Sequence, residues 1–459
     1  MPQVESGEVM NCKGTDVSAG TRVRRCIVSS FFNASIKCVV WFGILLLPTL
    51  NVMGCGSALA GPTASTPISL RHAPIRSENF ISSIGVNVHI MYANSSYKNL
   101  KEVISALRYL GIDNVRDGAP AFPPGGNGRF AEAARAGLKF DFIVGNNLDV
   151  KLAWLASLER RFPGSVAAIE GPNEVNNWPV HYDGKTGIVA ANLFQSALYR
   201  AVKKNSCLRN IPIYNFTDYP LAAGMADFAN IHPYPKGGRQ PYHALLRSVE
   251  KYSRLMPGKS VVITEAGYPT LKRPTPWGGV NPTVQAQLTI NLLLDSAYLG
   301  IHRVYLYQLF DSYADPTGTS PDRHLGLFNF SYHPKPVAIA IHNLISLLHD
   351  NSTNSRTFVT YPLGFTVPGL PKTAKALLFE RANGTAIVGL WNEQKIWDRM
   401  RFRPLSRQSV HLVLDLRKPH RTLSVYDPIH SNQPEETVRN TDSIAFHLGD
   451  DPIFIMISK

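Results

Sequence analysis

The chain predicts an α/β fold, a (β/α)8 barrel with a C-terminal antiparallel β-sandwich. Three observations carry that prediction. Between residues 84 and 349 short apolar runs alternate with longer segments of helical period. The alternation spans about 270 residues, the usual size of a closed eight-unit barrel. Past about residue 354 the helical period stops, and only short alternating β-type segments divided by turn residues remain. Hydrophobic residues make up 44% and charged residues 17% of the 459. That balance excludes a disordered chain, and the length favours one large domain with a smaller partner.

The first sixty residues differ from the rest. Arg22, Arg24, Arg25 and Lys37 precede an uncharged stretch over 38–61 that contains VVWFGILLLPTL, and Ala58-Leu59-Ala60 closes it with a small-x-small pattern. This predicts an export signal over 1–60, which Pro48 and Asn51 interrupt too often for a good membrane helix. An uncleaved anchor is the alternative. A third reading uses Val52-Met53-Gly54-Cys55, which is similar to a bacterial lipoprotein processing site and would leave Cys55 lipidated. The expected location is therefore outside the cytoplasm: secreted, periplasmic or envelope-associated, with membrane contact only through this segment if it is retained. Residues 61–79, rich in Pro, Ser and Thr, read as a linker.

The barrel is expected over 80–352. Its strand candidates are IGVNVHI (84–90), DNVRD (113–117), KFDFIVG (139–145), SVAAIEG (165–171), IPIYNF (211–216), DFANIHPY (227–234), KSVVITEAG (259–267) and HRVYLYQLF (302–310). Helical patterns such as LAWLASLERRF, YHALLRSVEKYSRL and PVAIAIHNLISLLH lie between and after them. The strands are mostly continuous apolar runs, as expected where helices cover one face and the barrel interior buries the other. The sandwich is expected over 353–459, from AKALLFERANG, TAIVGLWNE, SVHLVLDLR, TLSVYDP, DSIAFHLGDD and PIFIMIS, with Asn383-Gly384 as a hairpin turn.

Four of the five cysteines lie in the leader, so a mature chain keeps only Cys207, can form no internal disulfide and has no cysteine-based metal or redox site. The leader holds five Lys/Arg and three Asp/Glu, and its removal takes the formal charge from +14 to +12. Such a surface suits anionic partners, an acidic polysaccharide among them. Nucleic acid is not expected, because the basic residues are spread and no recognised DNA- or RNA-binding module appears. The 14 histidines show no HExxH spacing, and no phosphate-cradling glycine loop or EF-hand is present, so neither metal nor cofactor is expected.

In a barrel of this kind catalytic groups stand at the carboxyl ends of the strands. The fourth run ends in Glu170-Gly171-Pro172-Asn173-Glu174-Val175-Asn176-Asn177, and the seventh in Thr264-Glu265-Ala266-Gly267. Two carboxyl groups at non-adjacent strand ends can flank one glycosidic bond, with about 5–5.5 Å between them for retention and about 6.5–9.5 Å for inversion. Glu170, four residues before Glu174, is expected to point into the barrel and form an ion pair with Arg116 or another buried base.

The Asn-Glu after the fourth strand, with a second Glu after the seventh, resembles clan A of the glycoside hydrolases, retaining barrel enzymes. The likeness covers residues 80–350, and the trailing sandwich is similar to that of families 39, 5 and 30. The resemblance implies a retaining glycosidase acting on a polysaccharide or oligosaccharide, with Glu174 as general acid/base, Glu265 as nucleophile and Asn173 contacting the sugar. It further implies Arg116 beneath the nucleophile and Tyr234 bonded to it. The proton affinity of Glu174 is then expected to be raised. His89 and His232 are candidate binding or orienting groups. Trp178, Trp277, Tyr307 and Tyr313 are candidates for stacking on sugar faces, Tyr307 standing near a position where many clan members carry tryptophan. The competing reading is a non-catalytic carbohydrate-binding envelope protein on a barrel scaffold.

Overall fold

The computed structural model describes residues 73–217, 224–405 and 407–458, all within one compact unit, Thr63–Lys459. The export segment, Cys55 and the first part of the linker lie outside the described residues. Among the described residues, no helix is long and apolar enough to cross a membrane.

The eight predicted strands form one parallel sheet: β1 (Ile84–Asn87), β2 (Asn114–Gly118), β3 (Lys139–Ile143), β4 (Val166–Glu170), β5 (Ile213–Tyr214), β6 (Ala229–Ile231), β7 (Val261–Ala266) and β8 (Arg303–Leu306). β8 pairs with β1 and with β7, and the seam between β5 and β6 is bridged at Tyr214 and Phe228, so the sheet closes into the expected barrel. Helices follow most strands: α1 (Leu100–Leu110), α2 (Gly128–Arg135), α3 (Leu148–Arg161), α4 (Gly187–Lys204), α5 (Tyr242–Leu255), α6 (Pro282–Tyr298) and α7 (Pro336–Leu348). The alternation is incomplete at one place: among the described residues no helix lies between β5 and β6.

Outward-facing strand residues such as Val86, Val115, Phe142, Ile169 and Ile263 join the helices in one core. Inward-facing residues form two layers. The lower layer packs Ala168, Tyr214, Val262 and Tyr305, and Gly85 is required there because a Cβ would run into the Tyr305 ring. The upper layer is polar: Asn87, Arg116, Asp141, Glu170, Asn230 and Thr264 are all buried.

The C-terminal domain is built on β9 (Phe365–Thr366), β10 (Ala374–Glu380), β11 (Ala386–Asn392), β12 (Val410–Tyr426), β13 (Glu436–Leu448) and β14 (Ile453–Ser458). β10, β11 and β14 are buried on both faces. Alternate residues, Leu377, Phe379, Ile387, Trp391 and Phe454, point to the barrel core, while Leu378, Val388, Leu390, Ile453 and Ile455 fill the sandwich interior. This is why ALLFE and AIVGLW read as continuous apolar runs. β12 and β13 form the outer layer, with Leu412, Leu414, Ile444 and Phe446 facing inward. Between Asp415 and His420 the β12–β13 register shifts, and beyond it β12 pairs with β14, so this long strand passes from the outer layer into the inner one.

α6 is buried almost all round, because it lies between barrel and sandwich. Its polar residues find partners across the seam: Trp391 Nε1 donates to Asp295 at 3.0 Å and Gln287 Nε2 to Asp451 at 2.7 Å.

The linker expectation fails at its end. Ile75–Arg76 pairs in parallel with Phe379–Glu380, and Ser77–Ser82 is a short helix. A Pro-rich composition says nothing of a partner strand three hundred residues away.

Phe379, fully buried between the two domains and 5.0 Å from the Phe80 ring, should be a stability determinant of both. Phe379→Ala should cost about 3–5 kcal/mol in urea unfolding followed by tryptophan fluorescence, with barrel and sandwich melting together. Two separated transitions would show that the seam does not couple them.

Candidate active site

Arg116 ends up at the centre of the upper barrel layer and uses all five of its N–H donors. Nε and Nη2 donate to the two oxygens of Glu170 at 2.7 and 2.8 Å, Nη1 to Glu265 at 2.6 Å and Asn87 at 2.9 Å, and Nη2 also to Asn173 at 2.7 Å. The pairing of Glu170 with Arg116 is as predicted, and the neighbouring carboxylates play no part in it: Asp113 pairs with Lys139, and Asp117 accepts from the Ile90 and Gly118 amides. Asp141, buried beside Glu170, is pushed well above the ordinary carboxyl range by desolvation and by that neighbour.

Glu265 reaches this centre through a register fault. β7 carries one residue more than β8 between Ile263 and Ala266. The bulge lets the consecutive residues Thr264 and Glu265 both face inward, Thr264 toward Asn230 at 2.8 Å and Glu265 toward Arg116. Tyr234, past the end of β6, donates its hydroxyl to the other Glu265 oxygen at 2.8 Å.

Glu174 lies in the turn after β4 with φ of 38°, an unfavourable backbone for a residue with a Cβ. Thr217 holds that turn: its hydroxyl accepts from the Glu174 amide at 2.9 Å and its carbonyl from the Val175 amide at 3.0 Å. The Glu174 carboxyl receives Asn177 Nδ2 at 3.0 Å and faces His232 Nδ1 at 3.0 Å.

A chain of hydrogen bonds sets the His232 tautomer. Asn230 Nδ2 donates to the Asn215 carbonyl, so Asn230 Oδ1 accepts from Thr264, whose hydroxyl oxygen accepts in turn from His232 Nε2–H at 2.9 Å. Nδ1 is thereby left to share one proton with Glu174. The hydrogen bond from His232 lowers the proton affinity of Glu174, contrary to the expectation from sequence. His232 moves the other way: burial opposes its charge, but Glu265 and the bond to Glu174 outweigh it, and its affinity is raised. The proton expected on Glu174 belongs to the Glu174–His232 pair.

These groups line a cleft of about 1070 Å³ at the carboxyl end of the barrel. His89, Arg116, Asn173, Glu174, Trp178, His232, Tyr234, Glu265, Trp277 and Tyr307 all line it. Trp178 and Trp277 are 62% and 47% exposed on its rim. Tyr313 does not line the cleft; its ring lies under the Arg323 guanidinium. Asp117, Lys236 and Asp322 also line the cleft and were missed. Asp117 directly follows Arg116 at a strand end, so the rule that found the arginine reaches it too. Burial raises the Asp117 carboxyl to about 7. Lys236 sits over the Trp277 ring at 4.6 Å.

Ligand atoms of Glu174, His232 and Glu265 lie within 4.8 Å of one another. The same spacing would admit a cation, but the Arg116 guanidinium already occupies Glu265 and disfavours a second positive charge there. Asp427, His430 and Asp451 form another such group in the C-terminal domain.

No family model matches the chain, and no curated protein does. Solved structures do. A family 39 glycoside hydrolase from the gut symbiont Bacteroides cellulosilyticus WH2 aligns with a TM-score of 0.58 at 16% identity over 84% of this chain and 82% of its own. A monomeric β-xylosidase from Caulobacter crescentus CB15 aligns at 0.56, 13% identity, 85% and 98%. A glucosidase from Croceicoccus marinus aligns at 0.51, 12% identity, 78% and 92%. The chain has the fold of these enzymes, the barrel with a trailing β-domain that the sequence resemblance implied.

His89, stacked on Tyr92 and edge-on to Tyr307, is held by burial at about 4. Its folded value lies below its unfolded one, so it supports the fold above about pH 6.5 and withdraws that support as pH falls toward 4. Wild type should lose about 1–3 kcal/mol more stability than His89→Gln between pH 7.5 and 4.5, measured by chemical denaturation at each pH. Equal losses would place the titration elsewhere.

Proposed function

We propose that the chain is a retaining glycoside hydrolase acting on a polysaccharide or oligosaccharide by double displacement. One observation carries the reading: Glu174 and Glu265 face one cleft from two strand ends with carboxylate oxygens within 4.8 Å. That spacing suits an attacking carboxylate and leaves no room for the water an inverting enzyme holds between its two groups.

In this reading Glu265 attacks the anomeric carbon, supported by the Arg116 and Tyr234 donors on its two oxygens. The proton shared by Glu174 and His232 goes to the leaving oxygen. Glu174 stands nearest the cleft and delivers it, and His232 sets how readily it leaves. Once the glycosyl–Glu265 ester forms, the negative charge facing His232 is gone, and the pair can take a proton back from the attacking water. Asn173, fixed by Arg116, offers its amide N–H to a sugar hydroxyl, and Trp178 and Trp277 offer stacking surfaces on either rim.

The reading fails if no member of a polysaccharide and aryl glycoside panel is cleaved. Glu265→Gln should lower kcat at least about a thousandfold on every substrate. Glu174→Gln should lose comparable activity on the natural polymer but retain the first, glycosylation step on aryl glycosides whose leaving group needs no proton, seen as a burst in pre-steady-state phenolate release. Proton NMR of the first-formed anomer should show retention, and an inverted first product would remove the mechanism.

A further inference from the structure

Beside the cleft lies a second cavity of about 800 Å³, walled on one side by the segment after β6 and the start of α5, and on the other by residues 393–400 of the C-terminal domain. The two cavities share Tyr234 and Lys236 as a common wall. The same tyrosine that bonds Glu265 therefore also faces the second cavity.

Its lining is strongly cationic. Lys236, Arg239, Arg247, Lys395 and Arg399 border it, all exposed, and among the described residues none of them has a carboxylate partner at ion-pair distance. Two carboxylates also line it, and neither offsets that charge at the surface. Asp398 is satisfied by the Met400 and Arg401 amides and the Arg401 guanidinium. Both Glu393 carboxylate oxygens are buried, beside Asp295. Trp397, fully buried in the wall, holds an indole N–H with no acceptor. Five exposed cations without counter-charges around a cavity of small-molecule size describe an anion site.

The site is constructed rather than incidental. Trp397 belongs to a two-stranded ribbon, Trp397–Asp398 with Arg403–Pro404, that packs on Tyr268, Val280 and Val284 of the barrel and brings Lys395 and Arg399 to the rim of the catalytic face. Gly238 sits against the Trp397 ring, at a backbone φ of 67° and with no room for a Cβ.

We propose that this cavity is a subsite for a carboxylate-bearing sugar unit, so that the substrate is an acidic polysaccharide whose charged unit lies next to the bond in the cleft. The inference rests on the glycosidase reading for the substrate's identity as a polysaccharide. The two cavities lie on either side of Tyr234 and Lys236, and that adjacency favours one sugar chain reaching both over a separate macromolecule.

Binding, not cleavage, tests it. Hexamers of glucuronate, galacturonate and mannuronate, and the same hexamers carboxyl-reduced to neutral sugars, are titrated calorimetrically into the full chain carrying Glu265→Gln, at about 50 and 500 mM salt. At least one acidic hexamer should bind about tenfold or more tightly than its neutral counterpart, with the preference falling at high salt. Arg239→Gln combined with Arg399→Gln should abolish the preference, bringing acidic-hexamer affinity down to that of the neutral form; these side chains have no ion pair to lose, so the fold should persist. Lys395→Gln should give a partial loss. No binding of any acidic hexamer, equal affinity for acidic and neutral forms, or a preference surviving the double substitution overturns the proposal. So does tighter binding of duplex DNA, lost in the same double variant, which would make the cavity a nucleic-acid contact. Sulfated hexamers bound in preference to carboxylated ones would overturn the carboxylate assignment while keeping an anionic glycan. A chain that binds acidic hexamers here but cleaves nothing as wild type leaves the subsite standing and removes the glycosidase reading; cleavage without charge preference does the reverse.

Discussion

The upper half of the barrel depends on one buried cation. Arg116 is 1% exposed and has no water to fall back on, so each of its five donors must find an acceptor in the protein, and each does. The acceptors come from β1, β4, the turn after β4, and β7, which fixes four separate pieces of backbone to one planar group. Glu170 takes the bidentate fork and Glu265 a single bond, so Glu265 remains the less committed of the two carboxylates.

A parallel strand with strict alternation could not have built this arrangement. Thr264 is needed inward to orient His232, and Glu265 is needed inward to meet Arg116, yet they are neighbours in sequence. The extra residue in β7 resolves the conflict by turning both to the same side. The turn at Glu174 is a comparable local departure, a positive φ maintained by Thr217 from the segment after β5. Both glutamates thus stand at backbone irregularities that neighbouring elements hold in place.

Much of this was legible in the sequence, and the limits have physical causes. The eight strands, the seven helical patterns and the change to β-type texture are local periodicities, and the two glutamates stand at strand ends that those periodicities locate. What escaped was non-local. The pairing of Ile75–Arg76 with Phe379–Glu380, the burial of α6 from both sides and the packing of the Trp397 ribbon on Tyr268, Val280 and Val284 depend on elements far apart in the chain. The direction of the Glu174 proton affinity was misread for a similar reason: the expectation considered Glu174 and Glu265 alone, whereas His232 shares the proton and moves it off Glu174. Asp117 and Lys236 were within reach of the strand-end rule and were passed over because nothing nearby marked them.

The parallel pairing of the first described strand has a consequence for the order in which the chain can mature. Ile75–Arg76 has its sheet partner in β10, Arg76 also donates to the Phe358 carbonyl, and Glu78 receives the Asp350 amide. These partners lie 272 and 282 residues further along for the two hydrogen bonds, and beyond them again for β10. The first described segment can therefore be sealed into the fold only after the chain has been made as far as β10.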